Sequence, residues 1–141
     1  ERDVKRYDLV EEAVRLLQRK LPDAELVVIF NRRHQEVVDY MNACDVVVMA
    51  SDHEGSPVAI REAMAVNLPV VSVNVGDVAA LLDGVDNCQI VDQKSEAIAK
   101  GLLAVLEKGQ RSNGREKIRA YDMINATEQV YAIYQSLLDQ S

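Results

Sequence analysis

Apolar residues recur at helical spacing between residues 8 and 20, where Leu9, Val10, Ala13, Val14, Leu16 and Leu17 form one stripe that Pro22 closes. The spacing predicts an amphipathic helix. Residues 26–30 are a continuous apolar run, too short for a helix and rich in β-branched side chains, and predict a fully buried strand. A polar loop over 31–34 leads into a helix near 35–43 whose inner face is Val37, Val38 and Met41. A second buried strand is expected over 46–50. The polar segment 51–56 contains Gly55, and Pro57 suits a first helical position with Ser56 as its N-cap. That helix should reach about Val66 and end at Asn67, which tolerates a left-handed backbone. A strand over 70–73, a turn over 74–77, a short helix stopped by Gly84 and a strand over 88–91 follow. Ser95 is expected to cap a helix running to Lys108, which Gly109 ends. Beyond the loop 110–114 the chain reads as helical to its end, broken near Asn125, with Val130, Ile133, Tyr134, Leu137 and Leu138 on one stripe.

Strands alternating with helices through short connections define a parallel sheet with helices on both faces, a Rossmann-like α/β fold. At 141 residues and 48% hydrophobic content, residues 1–141 make one domain with its own core. One Phe and no Trp leave the packing to Val, Ile, Leu and Ala, as in buried parallel sheets. A formal net charge of -7 disfavours a nucleic-acid partner, and the interrupted basic stretch 111–119 is the sole candidate patch. Cys44 and Cys88 sit among apolar residues without metal-ligand spacing and read as buried structural thiols. With no apolar run of about 20 residues and no secretory signal pattern, a cytoplasmic domain is expected.

Ligands of open parallel sheets bind beyond the carboxyl ends of the strands. That rule points to residues 51–57. Unpaired amides at the following helix N-terminus, near Gly55, Ser56 and Val58, could receive a phosphate, and Gly55 would let it approach closely. Glu54 precedes the helix, and Glu62 lies five residues after Pro57, about 7.5 Å along the axis at about 1.5 Å per residue. Helical side chains lean toward the N-terminus, so Glu62 can aim at the same mouth from a largely apolar face. The plainer alternatives are that Glu62 pairs with a cation such as Arg61, and that residues 51–54 form a capping box, although Gly55 and Pro57 disfavour a helix beginning at Ser51. His34 and His53 read as ordinary polar loop residues.

The run Ser51-Asp52-His53-Glu54-Gly55-Ser56-Pro57, followed by Glu62-Ala63-Met64-Ala65, resembles the C-terminal, nucleotide-sugar-binding domain of GT4-type retaining glycosyltransferases of the two-domain GT-B fold. Glu54 and Glu62 stand at the family's E-x7-E spacing. Residues 41–45 and Pro69-Val70-Val71 extend the match, and Lys5 resembles the lysine of the family's phosphate-binding loop. The resemblance implies hexose transfer from a nucleotide-diphosphate sugar, UDP or GDP, to a glycan, lipid or small-molecule acceptor. It assigns Glu54 to the donor sugar and Glu62 to the ribose hydroxyls. Gly55, Ser56, Pro57 and Val58 would line sugar and diphosphate, and Lys5 and Arg2 would neutralise the diphosphate. No metal or cofactor is implied, and the chain contains no Asp-x-Asp pair.

Arg6 stands where the family usually has glycine. The segment between Phe30 and Glu36 is short for the family, and the strand expected ahead of Lys5 does not precede it in this chain. Either strands 26–30 and 46–50 then pair directly, in a flavodoxin-like order, or open edges invite a homodimer. The acceptor domain of the parent enzyme would be a further partner, the fragment alone would be inactive, and the parent would be cytoplasmic or peripheral at the inner face of a membrane. The competing reading is a Rossmann-like interaction module that catalyses nothing. An NAD site is disfavoured, because no G-x-G-x-x-G follows a predicted strand.

Overall fold

The computed structural model describes residues 4–121 and 123–138. Among these, three strands form a parallel sheet in chain order: β1 (Val47–Met49), β2 (Val70–Val73) and β3 (Gln89–Val91). Val48 lies opposite Val71, and Ser72 opposite Ile90. β2 is buried along its whole length, as a central strand flanked on both sides must be.

The helices are α1 (Tyr7–Leu17), α2 (His34–Ala43), α3 (Val58–Ala65), α4 (Val78–Leu82), α5 (Ser95–Lys108), α6 (Gly114–Ile118) and α7 (Met123–Leu138). They divide between the two faces of the sheet. On one face Val10, Ala13, Val14 and Leu17 of α1 meet Ile98, Leu102 and Val105 of α5 over Val71. On the other, Ile60, Ala63 and Met64 of α3 pack with Met41, Val78 and Leu81 over Val70. Adjacent residues of β2 serve opposite cores because strand side chains alternate between faces. This is the expected Rossmann-like α/β arrangement.

Several boundaries differ from the sequence expectation. Residues 26–30 form no strand: Val27, Val28 and Phe30 are exposed, the last at 80%, while Leu26 packs against the α1–α5 core. The amide of Asp52 donates instead to the carbonyl of Val4 at 2.8 Å, so the chain ahead of α1 lies beside the end of β1. Direct pairing of 26–30 with β1, and the flavodoxin-like order, are therefore not found. An apolar run without a ladder partner stays extended and partly wet.

The C-terminal break also moves. It falls at a 3-10 turn over Arg119–Tyr121 rather than near Asn125, and the apolar stripe of α7 is solvent-exposed. Asn67 and Gly109 do take left-handed backbones at their helix ends, with φ of 56° and 59°. Arg6, at the position where glycine is usual in the family, is left-handed as well, at 48°. A non-glycine residue there bears a steric cost that glycine escapes.

Three cations of the basic stretch 111–119, Arg111, Arg115 and Lys117, are engaged internally. Arg111 donates to the carbonyls of Cys44 at 2.7 Å, Met41 at 3.4 Å and Val66 at 3.1 Å, tying the C-terminal ends of α2 and α3 together. Arg115 donates to Ala65 at 2.6 Å and Lys117 to Asp83. Cations at helix C-termini satisfy orphan carbonyls and oppose the helix dipole. Replacing Arg111 by Ala should lower unfolding stability by about 1–3 kcal/mol in a urea titration, since it removes several charge-assisted hydrogen bonds.

Both cysteines are free and only half-buried rather than fully enclosed. Burial pushes each thiol above its ordinary range, with Asp45 adding to the effect at Cys44 and Asp86 at Cys88. Raised thiols are poor nucleophiles, which fits a structural role. Among the described residues, no helix is long and apolar enough to cross a membrane.

Candidate functional site

The loop that leaves β1 runs from Ala50 through Pro57 into α3, at the carboxyl end of the sheet. Segments that begin at the other carboxyl ends of the fold converge on it. Gln93, after β3, donates to the carbonyl of Ala50 at 2.9 Å and to the Asp52 carboxylate at 2.7 Å. Arg6, ahead of α1, reaches Asp52 at 3.5 Å and Asp8 at 3.1 Å. Lys5 lies 2.5 Å from Glu54. Asp77, in the turn after β2, accepts from Ser56 Oγ at 2.7 Å and from Arg61 at 3.0 Å.

Two of these contacts replace expected ones. Ser56 does not cap α3, whose N-cap position is taken by Pro57 with no side-chain bond. Its hydroxyl is engaged by Asp77, and a side chain bonded to another element is not available to its own helix. No capping box forms at 51–54, because no helix begins there, and Glu54 turns to Lys5. Partial burial pushes the Glu54 carboxyl up, but the Lys5 ammonium and the Ser51 side chain outweigh it and hold it below its ordinary range. Glu54 is thus an anion ready to accept hydrogen bonds.

Glu62 pairs not with Arg61 but with His34, whose Nδ1 lies 3.3 Å from Oε1. His34 opens α2, and its side chain is 76% exposed against 26% for Glu62. The carboxylate is therefore turned toward the loop that follows residues 26–30. Arg61 instead combines Asp77 with the ring of Tyr121, 5.5 Å from its centroid.

Of the expected site residues, Lys5 and Glu54 are brought together, while Ser56 is held on Asp77. Glu54 and Glu62 are held by different partners, Glu54 by Lys5 and Glu62 by His34. Gly55 and Ser56 are exposed, Pro57 is buried, and Val58 presents an exposed side chain at the start of α3. Arg2 lies outside the described residues. His34, Arg6, Arg61, Asp77 and Gln93 were not among the residues picked out for the site. No local motif marks them, but His34, Asp77 and Gln93 lie in the segments after 26–30, β2 and β3, where the carboxyl-edge rule directs attention. Among the described residues no cluster of His, Cys, Asp or Glu could hold a metal ion.

Gly55 offers a clean separation of fold from site. A Cβ there would meet nothing within 4 Å. Gly55→Ala should keep the melting transition of the parent within about 1 kcal/mol. Any loss of ligand affinity, read by calorimetry, would then report steric contact with the ligand itself.

A strand, an anchored polar loop and a helix N-terminus flanked by carboxylates and a lysine meet at the carboxyl edge of this Rossmann-like sheet, where ligands of open parallel sheets bind. A family model described as "Glycosyl transferases group 1" matches residues 5–108, and the chain belongs to that family of glycosyltransferases. It is 32% identical over 69 residues to a protein of Bacillus subtilis named as a teichuronic acid biosynthesis glycosyltransferase, TuaC. That match takes in 49% of this chain and 18% of the relative. Sucrose-phosphate synthase of Thermosynechococcus elongatus shares the fold, with a TM-score of 0.70 and 23% identity over 93% of this chain. The chain spans 35% of that structure, so both relatives are several times the matched length.

Proposed function

We propose that this chain is the donor-binding domain of a retaining glycosyltransferase. It binds a nucleotide-diphosphate sugar, and the parent enzyme transfers the hexose to a glycan, lipid or small-molecule acceptor. The observation that carries the reading is the loop between β1 and α3, held by Val4, Gln93, Lys5 and Asp77 with Gly55 and Ser56 exposed beside Glu54. In this reading the amides of Gly55, Ser56 and Val58 take the diphosphate. Lys5 stabilises its charge as it leaves, Glu54 accepts from sugar hydroxyls, and Glu62 exchanges His34 for the ribose diol. No metal is needed for the charge, because the lysine and the helix N-terminus supply the positive potential.

Transfer needs an acceptor wall opposite the donor, so this domain alone binds without turning over. Calorimetry with UDP-, GDP- and ADP-sugars is the test. Saturable binding of at least one donor supports the assignment, and no heat from any of them at millimolar concentration removes it.

The exposed stripe of α7 and the exposed Val27, Val28 and Phe30 favour a second reading, an assembly module that self-associates. Sedimentation distinguishes it: a stable dimer together with absent donor binding would select this alternative.

A further inference from the structure

The turn after β2 presses directly on the candidate donor loop. A Cβ built on Gly76 would lie 2.3 Å from the carbonyl oxygen of Gly55 and 2.8 Å from that of Glu54. Both carbonyls therefore face the turn, and the Gly55 carbonyl accepts the Asp77 amide at 3.2 Å. In a trans peptide the N–H points opposite to the C=O of the same unit. The amides of Gly55 and Ser56 consequently point away from the turn, and among the described residues neither finds an acceptor. Two successive amides on the outward side are donors that an acceptor beyond the loop can reach.

The Asp77 side chain locks this arrangement. Oδ2 accepts from both Ser56 and Arg61. Oδ1 of Asp77 and Nε of Arg61 are buried without a partner. Leaving two polar atoms unsatisfied is costly, and such costs concentrate where geometry serves function. The Ser56 hydroxyl, with Arg61 in support, holds the Asp77 carboxyl below its ordinary range, so it is an anion at neutral pH.

We infer that Asp77 is a positioning residue: it pins Ser56 and Gly55 from behind, so that their amides are presented to the diphosphate of the donor. The inference rests on the donor-binding reading for the identity of the ligand. It is independent of that reading for the geometry of the loop. Asp77 touches no part of the ligand and acts through the peptide units of residues 54–56.

The test compares the whole chain with Asp77→Ala, Asp77→Asn and Ser56→Ala by amide NMR of the free protein and by calorimetry with the best-bound nucleotide sugar. In Asp77→Ala the Gly55 and Ser56 amide resonances should move and affinity should fall about tenfold, the equivalent of one lost charge-assisted interaction. Asp77→Asn keeps an oxygen to accept from Ser56 and should hold affinity within about threefold. That rescue is not expected if the residue matters only for its charge on Arg61. Unmoved amides with unchanged affinity in a folded Asp77→Ala would overturn the inference. If Asp77→Ala does not fold, Ser56→Ala decides, since it removes the same link and should shift the Gly55 and Ser56 amides. If the parent binds no nucleotide sugar, the donor reading fails, while moved or unmoved amides still support or overturn the positioning role.

Discussion

Gly76→Ala should destabilise the domain by about 2–4 kcal/mol and weaken donor binding with it. The methyl group would enter at 2.3 Å from a backbone oxygen, a separation no flexible side chain can relieve. The residue also sits at φ 56°, in the left-handed region that disfavours a Cβ. Relief requires either the turn over residues 74–77 or the loop over 51–56 to move. The turn leads straight into α4, whose Val78, Leu81 and Leu82 are buried in the second core, so the loop is the softer party. Moving it breaks the hydrogen bond from the Asp77 amide to the Gly55 carbonyl and displaces the outward amides. A urea titration should show a lower midpoint with an unchanged slope, and calorimetry a loss of affinity beyond the unfolded fraction. A variant as stable as the parent would mean that the approach of the turn to the loop is looser than the structure has it.

Glu62→Ala should reduce donor affinity on the order of a hundredfold while leaving stability within about 1 kcal/mol. The asymmetry follows from its surroundings. Its partner in the free protein is the exposed His34, and a pair that solvent screens from one side contributes little to folding. A vicinal diol, by contrast, gives a carboxylate two hydrogen bonds at once in a partly buried position. Glu62→Gln retains one good acceptor and should cost about tenfold. His34→Ala should not weaken binding, since the imidazole competes with the ribose for the same oxygen. Equal affinity of the parent and Glu62→Ala would remove Glu62 from the donor site.

The fold was legible wherever a segment's own residues decide its state. β2 lies where the run Val-Val-Ser-Val placed it, and α5 ends at Gly109 because a left-handed C-terminal residue is written in the sequence. Residues 26–30 show the limit of such reading. Their hydrophobicity predicts burial, but a strand is a relation between two segments, and among the described residues no ladder pairs with 26–30. The 3-10 turn at Arg119–Tyr121 was misplaced to Asn125 because the local pattern stays helical through both.

The site was half legible for the same reason. The E-x7-E spacing and the Gly55-Ser56-Pro57 run are local, so Glu54, Gly55 and Glu62 could be selected at once. Their partners are tens of residues distant: Lys5 to Glu54, Asp77 to Ser56, Gln93 to Asp52 and His34 to Glu62. The spacing of Ser56 suits a helix cap, and only the folded arrangement brings Asp77 within reach of its hydroxyl. What the sequence supplies is the groups that could bind, and what the fold adds is the groups that hold them in place.

A crystal of the chain soaked with UDP or GDP, whichever binds more tightly in solution, addresses the central claim most directly. The β-phosphate should lie within hydrogen-bond distance of the Gly55 and Ser56 amides, with both ribose hydroxyls on Glu62 and His34 released from it. A nucleotide bound elsewhere, with Glu62 still against His34, would contradict the account and leave an α/β scaffold whose acidic pair serves the fold alone.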